Sequence, residues 1–152
     1  MRHVFIVNPA AGKKRGALEL LPRIHAAFAG AEEGAYAIRV TRGAGDATAI
    51  AREECAGEGS VRLYACGGDG TGSAGCPRAQ IAAVPCGSAN DYVRSYGGTA
   101  AFLDIPAQVH GRAVPVDAVD CGDRVSMNSA SMGMDAAVAQ KMVRYKNLPL
   151  VS

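Results

Sequence analysis

Three short apolar runs, each ending in a polar loop that carries glycine, constrain this chain more than any other feature. His3-Val4-Phe5-Ile6-Val7 is closed by Asn8-Pro9; Val61 to Ala65 runs into Gly67-Gly68-Asp69-Gly70-Thr71; Ile81 to Val84 runs into Pro85-Cys86-Gly87-Ser88-Ala89-Asn90-Asp91. Mainly apolar runs of this length, bounded by turn residues, predict buried strands, although the second carries Arg62. Between them the spacing turns helical. Leu18, Leu21, Ile24 and Phe28 lie on one face of a helix over 17–29, which Pro22 disturbs in its first turn or two. Tyr36 to Thr41 predicts a second strand, and Asp46 an N-cap for a helix through about Glu54. A helix follows Asp91 through Tyr96, and another over 99–110 is interrupted by Pro106. Strand and helix in alternation specify an α/β fold, with a parallel sheet flanked by helices.

After Ala113 the pattern changes. Residues 113–120 and 124–130 read as two strands joined at Gly122-Asp123, a hairpin signal, and a helix follows from about Asp135 to Tyr145. The domain boundary is placed near Gly111.

In an open parallel sheet the carboxyl ends of the strands share one edge, and ligands bind there. The three loops would therefore converge on one crevice although they come from distant positions. The middle loop is the most informative. Its paired glycines let backbone N–H groups approach phosphate oxygens, and Thr71 adds a hydroxyl. Asp69 would be repelled by phosphate unless a cation lay between them, which points to Mg²⁺ held directly or through water. The plain alternative is a tight turn in which Asp69 bonds its own backbone. In the first loop, Gly12-Lys13 at a strand-to-helix junction could neutralise phosphate, but the spacing is not that of a P-loop. Asn90 and Asp91 read most simply as helix caps, and Thr41, at the end of the second strand, is equally ambiguous.

Composition removes several competing classes. A net charge of +2, few aromatic residues and no tryptophan give neither the basic surface nor the stacking platform of a nucleic-acid binder. The clusters Lys13-Lys14-Arg15 and Lys141, Arg144, Lys146 read as solvated surface. Five cysteines without a C-x-x-C pair argue against disulfides and structural zinc, and fit a reducing cytoplasm. The first apolar run is too short for a signal peptide, and none nears the ~20 residues that span a bilayer, so any membrane contact is expected to be peripheral. His3, His25 and His110 have no nucleophile motif around them, which leaves hydrolase chemistry unsupported.

NPAAGKKRG at 8–16, TRGAGDA at 41–47, GGDGT at 67–71 and PCGSANDYVRSYG at 85–97 resemble, in order and spacing, the catalytic domain of diacylglycerol kinases. Bacterial lipid kinases are the nearer likeness, sphingosine and ceramide kinases the more distant. VDAVDCGDRVSMNSASMGMDA at 116–136 resembles the segment leading into that family's second domain. GGDGT alone is shared with NAD kinases; the G-S-A-N-D motif after it points to the lipid branch. The resemblance implies a nucleotide-binding α/β domain at residues 1–111 and, at 112–152, the beginning of a β-rich domain that is cut short. It implies ATP contacts by Asn8, Pro9, Ala10, Ala11, Gly12, Lys13, Thr41, Gly67, Gly68, Asp69, Gly70, Thr71, Ser88 and Asn90. It further implies that Asp69, Asp91 and Asp117 organise Mg²⁺ and water, with Asp69 reaching the metal through water. Phosphoryl transfer from ATP to a lipid hydroxyl at the membrane surface would follow, in phospholipid metabolism, by a cytoplasmic protein that visits the membrane transiently; a homodimer is compatible with this.

Two departures from the family pattern carry expectations. GGDGT continues as Gly72-Ser73-Ala74-Gly75-Cys76-Pro77, short and poor in helix formers, which suggests residues absent between Thr71 and Gly72. The family's catalytic base and direct Mg²⁺ ligands would follow residue 152, so the fragment alone should be inactive, with apolar surface exposed after Ala113. The other readings are an NAD kinase-like enzyme and a nucleotide-binding module without catalysis.

Overall fold

The computed structural model describes residues 1–12, 16–67, 78–86, 90–120, 122 and 125–127. Four parallel strands form its centre: β1 (Arg2–Val7), β2 (Tyr36–Val40), β3 (Val61–Gly67) and β4 (Ala79–Pro85), in the order β2-β1-β3-β4. β1 lies between two neighbours, and Val4 to Val7 are buried throughout, because a central parallel strand is covered on both faces.

Alternate side chains divide that core. Phe5 and Val7 of β1 lie with Tyr64, Cys66 and Val84 on one face, under Ile24 of α1 (Leu21–Ala27), Phe28 beyond it, and Ile105 of α5 (Ile105–His110). Val4 and Ile6 lie with Val61 and Leu63 on the other, under Ile50 and Ala51 of α2 (Asp46–Ala56). The first face is aromatic: Phe5 stacks on Tyr64 with centroids 4.1 Å apart, and Phe28 on Tyr36 at 4.5 Å. The phenol oxygen of the fully buried Tyr64 lies 2.8 Å from His3 Nδ1, within hydrogen-bond distance.

Several local expectations need correction. Asp46 is the first residue of α2, not its cap; Gly45 precedes it with φ 82°, and the Asp46 carboxylate instead accepts the Arg42 N–H at 2.8 Å. Pro106 does not interrupt a helix. The break falls at Leu103 and Asp104, between α4 (Thr99–Phe102) and α5, and Pro106 sits in the first turn of α5, where its absent N–H costs nothing. Asp104 caps α5 by accepting the Ala107 N–H at 3.0 Å. Pro22 is likewise in the first turn of α1, after a 3₁₀ turn at Leu18–Leu20. β3 runs two residues past its expected end because Cys66 and Gly67 still pair with Val84 and Pro85. α3 (Asp91–Arg94) is a single turn.

Beyond α5, among the described residues, only β5 (Val119–Asp120) and β6 (Val125–Ser126) pair, antiparallel, around Gly122. Residues 113–118 are exposed and not strand; among the described residues no strand lies alongside to receive their backbone. Cys55 is disulfide-bonded, contrary to the sequence expectation, while Cys66 and Cys86 are free. The Thr71–Gly72 junction and the helix expected at 135–145 lie outside the described residues, as do Lys141, Arg144 and Lys146.

Candidate functional site

Sheet order decides which loops meet. Because all four strands are parallel, Val40, Val7, Gly67 and Pro85 end on one edge, in that spatial order, with Val7 paired to Val40 on one side and to Cys66 on the other. The ladder continues one step past the strands. Thr41 donates its N–H to the Val7 carbonyl at 2.9 Å, Asn8 to Cys66 at 2.9 Å, and Cys86 to Gly67 at 3.0 Å. Thr41, Asn8, Gly67 and Cys86 are thus fastened into one rim. Thr41 is buried although polar, and Asn8 and Cys86 are half-buried.

The loop after β1 folds back as a closed turn. Ala10 donates to Asn8 Oδ1 and Ala11 to the Asn8 carbonyl, each at 3.0 Å, while Pro9 has no N–H. Pro9 suits the second position of such a turn because its φ is already set. Ala11 is buried against the core, and Gly12 takes φ 80°. A side chain at Gly12 would collide with the third loop, since a Cβ there would lie 2.6 Å from the Cys86 carbonyl oxygen.

Asn90 enters α3 in the left-handed region at φ 54°, ψ 42°, the one non-glycine residue with positive φ among those described. Asparagine tolerates this better than most, and such conformations gather at functional sites. The capping role expected of it is absent: its side chain accepts no N–H from the helix. Asp91 begins α3, exposed, and accepts from Arg94 at 3.3 Å. Asp117 is exposed on the segment after α5, with no hydrogen bond or ion pair among the described residues tying it to the rim.

The structure thus puts Asn8 to Gly12, Thr41 and Gly67 on the one edge expected from sequence, and Asn90 and Asp91 at the start of α3. Lys13, Gly68, Asp69, Gly70, Thr71 and Ser88 lie outside the described residues. Among the described residues no three His, Cys, Asp or Glu side chains gather as a metal site. Two rim residues were overlooked as such, Cys66 and Cys86. Burial pushes the Cys86 thiol up to about 11 and Cys66 higher still, with Cys86 beside it adding to the shift. Both are mostly protonated at neutral pH, so neither is a ready nucleophile. The signal for Cys86 was its place directly after a strand-ending proline, in a glycine-bearing loop.

A cavity of about 720 Å³ borders β4, lined by Ala82, Tyr92, Tyr96, Phe102 and Val116. It is not part of the rim: neither Asn8, Gly12 nor Thr41 lines it.

Comparison with known proteins gives consistent results. The family model of the diacylglycerol kinase catalytic domain matches residues 2–121. A Pseudomonas fluorescens protein described as "Probable lipid kinase YegS-like" is 32% identical over 115 residues, covering 66% of this chain and 36% of that protein. A diacylglycerol kinase structure from Bacillus anthracis superposes with TM-score 0.60 at 24% identity, over 82% of this chain and 45% of that one. A second structure from that organism gives TM-score 0.57 at 26% identity, over 77% and 42%. The chain thus spans under half the length of these relatives.

Proposed function

The chain belongs to the diacylglycerol kinase catalytic domain family, and from that premise we propose that its rim binds ATP and serves phosphoryl transfer to a lipid hydroxyl. One observation carries the reading: Asn8, Gly67 and Cys86, which stand where three loops remote in sequence leave their strands, are fastened side by side at the carboxyl edge of a parallel sheet. That edge is where such sheets bind ligands. In this proposal residues 1–111 are the nucleotide-binding unit, and 112–152 begin a second one.

The roles follow from what each group has left to offer. Three positions of the first loop give no N–H to a ligand: Ala10 and Ala11 spend theirs within the turn, and Pro9 has none. The Gly12 N–H is not spent among the described residues, and with Lys13 it would face phosphate. Gly67 to Thr71 would form the main phosphate cradle, with Thr41, Ser88 and Asn90 around it. The Asp91 and Asp117 carboxylates would order water near the phosphates. Magnesium would arrive with the nucleotide, since Mg²⁺ commonly keeps its waters and takes one or two carboxylates plus phosphate oxygens. Asp69 is the carboxylate proposed for it, through water, and Mg²⁺ would supply charge neutralisation. The protein's share is positioning, which is most of what phosphoryl transfer requires. No helix among the described residues is long and apolar enough to cross a membrane, which suits peripheral access to a lipid acceptor.

The test has two parts. Calorimetric titration with Mg²⁺–ATP should give binding that Asp69→Asn weakens at least tenfold. Labelled phosphate transfer by the full-length protein, offered diacylglycerol, sphingosine and NAD⁺, should go to a lipid. Transfer to NAD⁺ alone would exclude the lipid reading, and no binding of Mg²⁺–ATP would exclude both.

A further inference from the structure

Every N–H of the first loop that precedes Gly12 is either absent or engaged: Asn8 bonds Cys66, Ala10 and Ala11 bond Asn8, and Pro9 has none. What the loop can still give a ligand begins at Gly12, so the placement of Gly12 matters. Its neighbour across the rim is the peptide of Cys86. That peptide is held from the other side, because the Cys86 N–H donates to the Gly67 carbonyl at 3.0 Å and continues the β3–β4 ladder. The Cys86 side chain is packed against the main core cluster, with its thiol donating to the Val84 carbonyl at 3.3 Å. Cys86 is therefore a fixed point, and Gly12 rests on it.

We propose that Cys86 is a positioning residue of the nucleotide site, its carbonyl acting as the stop that sets Gly12, and through it the first loop, relative to the second and third. The proposal rests on the nucleotide reading above, and it adds a residue and a contact that the loop motifs themselves do not name. It explains why glycine is required at position 12 on two separate grounds. The φ of 80° disfavours a side chain, and a Cβ at 2.6 Å from the Cys86 oxygen cannot be accommodated without movement. Cys86 cannot yield without breaking its bond to Gly67. The displacement is then taken up by the first loop, and with it the Gly12 N–H.

The two grounds can be separated. Gly34 also has positive φ, at 81°, but a Cβ there meets nothing within 4 Å. Gly34→Ala therefore carries the backbone cost without a collision. Asparagine tolerates the left-handed region, so Gly12→Asn relieves the backbone cost while keeping the collision. In the full-length protein we would measure Mg²⁺–ATP affinity by calorimetry, KM for ATP and kcat, and the rate of Cys86 alkylation by iodoacetamide without nucleotide, read by mass spectrometry. Gly12→Ala and Gly12→Asn should both weaken Mg²⁺–ATP about tenfold, the loss expected from one misplaced charge-assisted hydrogen bond. The effect should fall on KM more than on kcat. Both should alkylate at Cys86 several-fold faster than the unmutated protein, and Gly34→Ala should change neither readout.

If Gly12→Asn behaves like the unmutated protein, or if Cys86 alkylation is the same in all four proteins, the contact does not position the loop. Should the alanine variant fail to fold, the asparagine variant carries the test. Alkylation needs no nucleotide, so failure of Mg²⁺–ATP binding in the unmutated protein would reject the nucleotide reading while still reporting whether Gly12 rests on Cys86.

Discussion

Arg62 offers a quantitative test of how the fold is held beneath the site. It lies in β3, 7% exposed, on the face shared with Tyr64 and covered by α5. No carboxylate pairs with it among the described residues. Its guanidinium instead donates to Gln80 Oε1 at 2.8 Å and to the carbonyls of Gln108, Val109 (3.0 Å) and Gly111 (2.8 Å). Those carbonyls belong to the last turn of α5 and the residue after it, where helix carbonyls lack partners and carry partial negative charge. Arg62 is thus the C-terminal cap of α5, supplied from the sheet. Arg62→Met keeps the stem's burial and removes every donor. A hydrogen bond from a charged donor contributes about 1.5–3 kcal/mol, but the carbonyls near Gly111 are open enough for water to replace part of this. A net loss of about 3 kcal/mol is expected, a large share of the roughly 5–15 kcal/mol that stabilises a domain. Arg62→Lys, with one compact donor group, should lose about half as much. Urea denaturation gives the free energies, and at about 2–4 °C per kcal/mol the methionine variant should melt about 6–12 °C lower. Amide exchange should quicken first in α5. A methionine variant within 1 kcal/mol of the unmutated protein, or less destabilised than the lysine variant, would refute the capping argument.

Two smaller predictions follow from neighbouring features. Burial, then the positive charge of Arg62, the N-terminus and His110, pull the His3 pKa below its ordinary value of 6.5. The folded state then binds that proton less readily than the unfolded chain, so stability is full above the unfolded pKa and falls as pH drops through 6.5 toward the lowered value; His3→Gln should flatten the loss seen in melts between about pH 7 and 5. At Asn90, alanine should destabilise by about 1 kcal/mol more than glycine, because only alanine pays for the left-handed backbone; equal melting temperatures for the two would contradict that conformation.

The strands were legible because each is a local apolar run with turn residues after it, and their parallel pairing followed from helices between them. Local reasoning failed where a distant partner or a neighbouring turn set the outcome. Pro106 looked like a helix breaker until Asp104 was seen to start a new helix in front of it. Asp46 looked like a cap, but Arg42 holds its carboxylate. Residues 113–118 have strand composition and no strand beside them among the described residues. Asn90 and Cys86 show the same limit at the site, since neither a left-handed φ nor a carbonyl facing Gly12 has a sequence period to reveal it.

By itself, the sequence determined that this chain alternates buried strands with helices and ends its strands in polar, glycine-bearing loops, because period and turn chemistry are properties of neighbouring residues. Tertiary structure alone decided the order in which Thr41, Asn8, Gly67 and Cys86 stand along that edge, that Gly12 rests on Cys86, and that a sheet arginine caps α5. Each of these depends on how elements far apart in the chain are set against one another, and strand register is fixed by which side chains are buried together, since a slip of one residue would turn every side chain to the other face.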